Sequence, residues 1–197
     1  MPSPSPTAQP PTELIEAALE CFVAFGVRKT SLTDVAARAG VSRATTYRVF
    51  GDKDGLVRVV VQAEVGRFMT ALDAAVDWRA SPLVDALERA VDFTLSYLRQ
   101  HMLLQRVLVS EPEQLTGVVI SQSEQASLID VMLPAVVERF VNTHHDVLRV
   151  PVEQAAEWLI RMTISLLLNP SSRLPDPHTV ARLLLNGLVK DPAVTRE

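Results

Sequence analysis

The chain has 197 residues, 48% of them hydrophobic, so it is long enough to bury a substantial core in one domain or two small ones. Only 7 glycines and 5% aromatic residues, among abundant Ala, Leu and Val, favour helix over sheet. A formal net charge of −4 excludes a protein coated with basic surface, so any binding of nucleic acid must depend on a local concentration of positive charge.

The N-terminal segment, residues 1–11, has neither the basic start nor the apolar run of a signal peptide, and its composition predicts a disordered tail. The single cysteine, Cys21, excludes an intramolecular disulfide and a multi-cysteine metal site, and its apolar neighbours predict a buried side chain. The longest apolar stretch, Trp158–Leu168, contains Arg161 and is too short to span a bilayer. We therefore expect a cytoplasmic protein with no membrane partner, metal or cofactor.

Three short helices are predicted after the tail. Thr12 is placed to cap the first, and Ser31, with Asp34 three residues later, forms a capping-box pattern at the start of the second. Gly40 ends the second helix and Ser42 caps the third, "RATTYRVF". Two short helices joined by a Gly-Val-Ser turn have the spacing of a helix-turn-helix, in which glycine permits the left-handed backbone of the tight turn.

The third helix has two different faces. A helical wheel places Thr46, Val49 and Phe50 on one side and Ala44 and Arg48 on the other, with Thr45 and Tyr47 flanking the latter. The outward face is therefore small, basic and able to form hydrogen bonds, which suits contact with base edges and phosphates in a DNA groove. The alternative is an ordinary solvated helix face.

Positive charge is concentrated in the same part of the chain. Residues 28–58 contain seven basic and three acidic side chains, whereas the chain from Val59 onward contains 12 basic and 17 acidic ones. This asymmetry indicates two functional halves, with attraction to DNA confined to the first. A basic run is often only a solvated surface, so the charge supports the helix-turn-helix interpretation and does not establish it.

The run "TSLTDVAARAGVSRATTYRVFGDKDGL", Thr30 to Leu56, resembles the DNA-binding signature of TetR-type transcriptional regulators. The matching features are the Thr/Ser before the second helix, "VA..AGVS", Tyr47, Phe50 and "DKDGL" with Lys53. The resemblance covers about 27 residues and is specific. The later helices match the family plan only in number and order.

The resemblance implies a set of DNA contacts. Residues near the second helix would meet phosphate, the third helix and its cap would lie at the major groove, and the start of the fourth helix would meet the backbone. The predicted DNA-binding residues are Thr30, Ser31, Thr33, Ser42, Arg43, Ala44, Thr45, Tyr47, Arg48 and Lys53. Thr46 departs from the family, which usually has an aliphatic residue there. We expect its hydroxyl to turn inward and bond to a carbonyl one turn earlier.

The chain beyond Val59 has helical patterns throughout, so the predicted fold class is all-α. Helices are expected from about Lys53 toward Trp78, from Ser81-Pro82 to about Gln100, across "HMLLQRVLVS", across "EQASLIDVMLPAVVERFVNT" with a kink or break at Pro134, after Pro151, and across "HTVARLLLNGLV". The predicted domains are a helix-turn-helix domain at 12–55 and a helical ligand-binding and dimerisation domain at 56–190, followed by a tail at 191–197.

No catalytic constellation is recognisable in the sequence. A "GxSxG" turn, a Cys/His pairing and a glycine-rich phosphate loop are all lacking, so we expect a protein that is not an enzyme. His144 and His145 are adjacent and would point about 100° apart in a helix, which predicts loop or surface residues and not metal ligands.

Two apolar helices near the C-terminus are candidates for a dimer interface, because they carry more apolar surface than a two-helix edge of a monomer buries. The predicted dimerisation residues are Ile160, Thr163, Ile164, Leu167, Val180, Leu183, Leu184, Gly187 and Leu188. The alternative is that both helices form the central core of the protomer.

Adaptable side chains that would surround a central cavity, with a few polar groups among them, suggest a site for a mostly apolar small molecule. The predicted ligand-binding residues are Phe68, Met69, Phe93, Tyr97, His101, Met102, Arg106, Met132 and Met162. A Met and aromatic stripe at helical spacing can equally be plain core.

Together these features predict a homodimeric TetR-type repressor that a small, largely apolar effector releases from a palindromic double-stranded DNA operator. An activator or an effector-independent regulator of the same fold is the first alternative. A helical ligand-carrying protein without specific DNA binding is the second.

Overall fold

The computed structural model describes residues 10–110, 128–141, 147–168 and the single positions 179, 182, 187, 188 and 190, without the side chains of residues 108, 109, 128, 140, 141, 167 and 168. These residues form eight helices, which confirms the all-α fold class. The helices are α1 (Thr12–Phe25), α2 (Leu32–Ala39), α3 (Arg43–Phe50), α4 (Lys53–Ala75), α5 (Leu83–Gln100), α6 (Met102–Ser110), α7 (Leu128–Val141) and α8 (Val152–Leu168).

The first three helices pack as a small bundle onto the start of α4. Leu14, Phe22, Val35, Phe50 and Leu56 belong to one buried cluster and are each at most 5% exposed. Cys21 lies in the same cluster, as predicted, and burial raises the pKa of its thiol. The inner faces of the three helices are therefore buried against one another and against the start of α4.

Side-chain caps determine where the helices of this bundle begin. The Ser31 hydroxyl accepts from the Asp34 amide at 3.2 Å while Asp34 accepts from the Ser31 amide at 2.8 Å, so the predicted capping box is present. Ser42 caps α3 as predicted, accepting from the Thr45 amide at 3.1 Å. For α1 the prediction was wrong, because Pro11 stands at the N-cap and no side chain caps the helix.

α4 continues without a break from the bundle into the second half, so the expected domain boundary at residues 55–56 lies inside a helix. In the second half α8 packs against α5 and α7, and α4 packs against α5 and α7. α6 packs against both α5 and α1, and its Val107 belongs to the buried cluster of the bundle. The two halves are thus joined through α4 and α6. Among the helices described here, none has the length and apolar character that crossing a membrane requires.

Of the kink or break expected at Pro134, the break does not occur, because Pro134 lies inside α7. Pro134 is exposed, and so is Asp130, whose carbonyl would otherwise accept from residue 134. The missing hydrogen bond therefore lies on the solvent side, where water can hydrate the carbonyl, while the other face of α7 packs against α8.

The helix predicted across "HTVARLLLNGLV" does not extend through Gly187 and Leu188, which form a turn. After this turn the chain pairs with the segment that precedes α8: Arg149 donates its amide to the Leu188 carbonyl, and Lys190 donates to the Val147 carbonyl, both at 2.8 Å. This main-chain pairing accompanies the burial of Leu188 in the interior of its own protomer.

Candidate functional site

The outward face of α3 is exposed along its length. Arg43, Ala44, Tyr47 and Arg48 are exposed, and Tyr47 retains 53% of its accessible surface although it is aromatic. Within the part of the chain that the structure describes, neither Arg43 nor Arg48 forms a hydrogen bond or an ion pair. Two guanidinium groups and a phenol are therefore available to an external partner on one helical face.

The inward face of α3 fixes the orientation of the outward one. Thr46 is 0% exposed, and its hydroxyl donates to the Ser42 carbonyl at 3.4 Å, which confirms the expected bond to the preceding turn. Phe50 is 5% exposed and anchors the end of the helix in the bundle. Threonine is thus accommodated where the family usually has an aliphatic residue.

The turn before α3 has the geometry that the sequence predicts. Gly40 adopts a left-handed conformation, with φ of 67°, and its amide donates to α2 carbonyls. Ser42 is extended and, besides capping the helix, its Oγ lies 2.9 Å from Thr45 Oγ1. Two of the predicted contact residues, Ser42 and Thr45, are therefore held in place by their own hydrogen bonds.

Thr30 and Lys53 have structural roles that the sequence did not reveal. Thr30 is 3% exposed, and its hydroxyl donates to the Gly26 carbonyl at 2.8 Å. The Lys53 ammonium donates to the Val27 and Thr30 carbonyls and lies 5.2 Å from the centre of the Phe22 ring. The buried Thr30 hydroxyl bonds within the α1–α2 connection, which corrects the expectation that it reaches phosphate. Lys53 fastens α4 to the same connection, and its contact with the DNA backbone stays a prediction. Ser31 remains exposed and Thr33 is half-buried.

Asp34 adds a negative charge near the start of α2. Hydrogen bonds from Ser31 lower the pKa of this carboxyl group below its usual value, so Asp34 is ionised at neutral pH. The nearby Arg38 is paired with Glu20 of α1 and is not part of the α3 face. Arg38 therefore does not add to the positive charge of the α3 face.

A cavity of about 280 Å³ lies between α4, α5, α6, α7 and α8. Its wall is mostly aliphatic and aromatic, as small-molecule sites usually are. Four predicted ligand-binding residues line it: Phe68, Tyr97, His101 and Met132. Phe93 packs behind them, with its ring 6.3 Å from Phe68 and 5.6 Å from Tyr97 between centroids.

The other predicted ligand-binding residues lie away from the cavity wall. Met69 is 5% exposed within the packed core, and Met102 is 70% exposed at the first turn of α6. Arg106 and Met162 are half-buried and do not line the cavity. These four positions are corrections, because helical spacing alone does not distinguish the cavity-facing side of a helix from its neighbours.

One end of the cavity is polar, and its central residue, Glu64, was missed by the sequence analysis. Glu64 accepts from His101 Nε2 at 2.6 Å and from Arg67 Nη1 at 2.7 Å, and Arg67 also pairs with Glu16 of α1. A single acid in the apolar run "VVVQAEV" was the signal available in the sequence. Burial raises the pKa of the neighbouring Tyr97, and the charge of Glu64 raises it further, so the phenol stays protonated.

The predicted dimer residues are divided between the cavity and the core. Ile160, Thr163 and Ile164 line the cavity, and Ile160 is 5% exposed within the protomer. Leu188 is buried with Leu83 and Leu148. These positions follow the alternative in which the helices form the protomer core, while Gly187 is exposed. The side chain of Leu167, and Val180, Leu183 and Leu184, lie outside the described residues, as do His144 and His145.

Comparison with known proteins finds similarity to bacterial regulators, strongest in the part of the chain that contains α1–α3. Residues 14–60 match the model described as "Bacterial regulatory proteins, tetR family". An HTH-type transcriptional regulator of Mycobacterium tuberculosis is 26% identical over 170 residues, which cover 85% of this chain and 79% of that protein. An HTH-type transcriptional repressor of the same species is 31% identical over 126 residues, 61% of this chain and 57% of that protein.

Solved structures resemble the chain over nearly its whole length. The TetR family repressor AlkX from Dietzia sp. has a TM-score of 0.68 at 21% identity, and the match covers 92% of this chain and 100% of that one. RolR, solved without ligand, has a TM-score of 0.65 at 13% identity, with 92% and 91% covered. At these identities the likeness shows a shared fold.

Proposed function

We propose that this chain is a TetR-type transcriptional regulator, a homodimeric repressor released from a palindromic operator by a small, largely apolar effector; the family match over residues 14–60 and the similar HTH-type regulators support it. The observation that carries the DNA-binding part is the exposed face of α3. There Arg43, Tyr47 and Arg48 are available to a partner, while Thr46 and Phe50 hold the helix in the bundle.

A dimer is proposed because one eight-residue helix provides few base contacts. Two copies related by a two-fold axis place two such helices about 34–36 Å apart, the distance between successive major grooves on one side of B-DNA. The arrangement predicts an inverted-repeat operator.

Effector control is proposed from the position of the cavity. Its wall includes Val57, Val60 and Val61 of α4, and Phe22 and Val27 at the bundle, as well as α6. A ligand that fits one arrangement of α4 and α6 better than another would shift the population of bundle orientations, and hence of dimers that match the operator. The mostly aliphatic and aromatic wall supports an apolar effector.

The DNA-binding proposal is tested with duplexes selected by the protein from a random-sequence library, followed by anisotropy measurements at fixed salt. We expect an inverted repeat to be enriched. Replacing Arg48 by Ala should weaken binding to the selected duplex at least about tenfold, because a base or phosphate contact is worth about 1–3 kcal/mol.

Arg79→Ala provides the matched control, because Arg79 is also exposed and the same charge is removed far from α3. Equal effects of the two substitutions would show that only net charge matters, and would contradict the assignment of α3. The stoichiometry of the complex, measured by sedimentation, should be two protomers per duplex.

A further inference from the structure

Some polar side chains of the cavity wall form hydrogen bonds within the protein, and others do not. Thr94 donates to the Ala90 carbonyl at 2.6 Å, and Arg139 donates to Asp73 Oδ1 at 2.7 Å and to the Ala135 carbonyl at 2.5 Å. The hydroxyls of Tyr97 and Thr163 form no hydrogen bond within the described chain, although both residues line the cavity. The wall therefore offers a phenol and a hydroxyl to an occupant.

Both ring nitrogens of His101 are engaged by neighbours. Its Nδ1 accepts from the Leu104 amide at 3.3 Å, and its Nε2 lies 2.6 Å from Glu64 Oε2. The ring is therefore held against Glu64 and is not free to turn toward an occupant of the cavity.

Among the described residues, the acid that lines this end of the cavity is Glu64. Its guanidinium partner, Arg67, lies off the wall and is shared with Glu16 of α1. Each oxygen of Glu64 has one partner from Arg67 or His101, and a carboxylate has capacity for more donors than two. Toward the other end, the cation on the described wall, Arg139, is already held by Asp73.

We propose that the cavity binds an apolar molecule that ends in a hydrogen-bond donor, either an alcohol or an ammonium group. This head group lies between Glu64 and Tyr97, and the cavity discriminates against molecules that end in a carboxylate. An alcohol or ammonium head group can donate a hydrogen bond to the Glu64 carboxylate. An alcohol can also accept a hydrogen bond from the Tyr97 hydroxyl. A carboxylate would be repelled by Glu64 and would meet an arginine already engaged by an acid. The inference rests on the proposed function in taking this cavity as the effector site.

The test uses three probes with one chain and different head groups: 1-octanol, octylamine and octanoate. Their dissociation constants are measured on DNA-free protein near neutral pH, from the fluorescence of Trp78, which lines the cavity, in a Trp158→Phe background. We expect octanol and octylamine each to bind at least about tenfold more tightly than octanoate, because an uncompensated like charge in a partly buried site disfavours the acid.

Variants of the wall assign the selectivity to its residues. Glu64→Gln should weaken the binding of octylamine and strengthen the binding of octanoate, so that the ratio of their affinities falls by about tenfold or more. Tyr97→Phe keeps the ring but removes the hydroxyl, and should weaken the binding of octanol by about threefold to tenfold. Met102→Ala is the control, because Met102 is 70% exposed and lies off the wall, so all three affinities should be unchanged. Circular dichroism verifies that each variant is folded.

Equal affinities for the three probes, tighter binding of octanoate, no binding of any probe at millimolar concentration, or an unchanged ratio in folded Glu64→Gln would each overturn the proposal. DNA binding is measured separately on the same preparation. Retained operator binding without head-group selectivity refutes this inference alone. Loss of specific DNA binding with selectivity intact refutes the proposed function alone.

Discussion

The bundle of α1–α3 and the helices around the cavity are built from similar apolar residues but constrain them differently. In the first region Ser31 and Ser42 cap α2 and α3, while α1, like α5 of the second region, begins after a proline with no side-chain cap. The second half surrounds about 280 Å³ of space, which the bundle borders only through Phe22 and Val27. A surface that reads DNA needs side chains fixed in place, whereas a site for a small molecule needs room.

The largest expected effect comes from matched leucines in the two regions. Leu56 is 0% exposed in the bundle cluster, whereas Leu104 is half-buried and already adjoins the cavity. Leu56→Ala should lower the free energy of unfolding by about 3–4 kcal/mol, and Leu104→Ala by about 1 kcal/mol, because fewer packing contacts are lost beside existing space. Urea denaturation monitored by circular dichroism measures both. Similar losses would contradict the contrast in packing.

Substitutions at two glycines of α4 compare packing in the two regions along one helix. A Cβ at position 55 would lie 1.9 Å from the Phe50 carbonyl oxygen, whereas a Cβ at Gly66 would meet nothing within 4 Å. Gly55→Ala should therefore destabilise the protein by about 2–3 kcal/mol and shift α3. Gly66→Ala should stabilise it by about 0.5–1 kcal/mol, because glycine is unfavourable inside a helix. Thermal unfolding tests both, and a neutral Gly55→Ala would refute the close approach of α3 and α4.

A substitution at Lys53 tests whether this basic residue of the first region stabilises the fold or contacts DNA. Lys53→Met removes the donor to the Val27 and Thr30 carbonyls, and should lower the free energy of unfolding by about 1 kcal/mol. Lys29→Met is the control, since Lys29 is exposed and the same charge is lost. If Lys53 were instead mainly a phosphate contact, its loss would leave stability unchanged and would lower the salt dependence of DNA binding by about one unit of slope.

The same contrast explains how far the sequence could be interpreted. The positions of Ser31, Gly40, Ser42 and Thr46 could be predicted because capping, turn and wheel rules act over four residues or fewer. The burial of Thr30 and the bond from Lys53 to its carbonyl join residues 23 apart, and no local rule predicts such a contact.

In the second region an apolar side chain fits a core, a cavity wall or an interface equally well. Met69 lies in the core, Met102 in solvent and Met132 on the wall, although all three are methionines of apolar helices. How α4 to α8 pack against one another decides among these environments, and the apolar spacing within each helix does not predict that packing. Glu64 was missed for the related reason that its partners, His101 and Arg67, are brought together only by the fold.

Thr46 gives the smallest expected effect and the sharpest test of how α3 is held. Its hydroxyl is 0% exposed and forms a hydrogen bond of 3.4 Å, which is long for an O–H donor. Thr46→Val keeps the shape and removes a poorly compensated buried hydroxyl, so we expect stability to rise by about 0.5 kcal/mol with DNA affinity unchanged. Thr45→Val is the control: Thr45 lies 2.9 Å from Ser42 Oγ near the outward face, and its loss should weaken DNA binding without raising stability. If Thr46→Val instead lowered the free energy of unfolding by more than about 1 kcal/mol, the bond to the Ser42 carbonyl would be shown to help hold α3 in place.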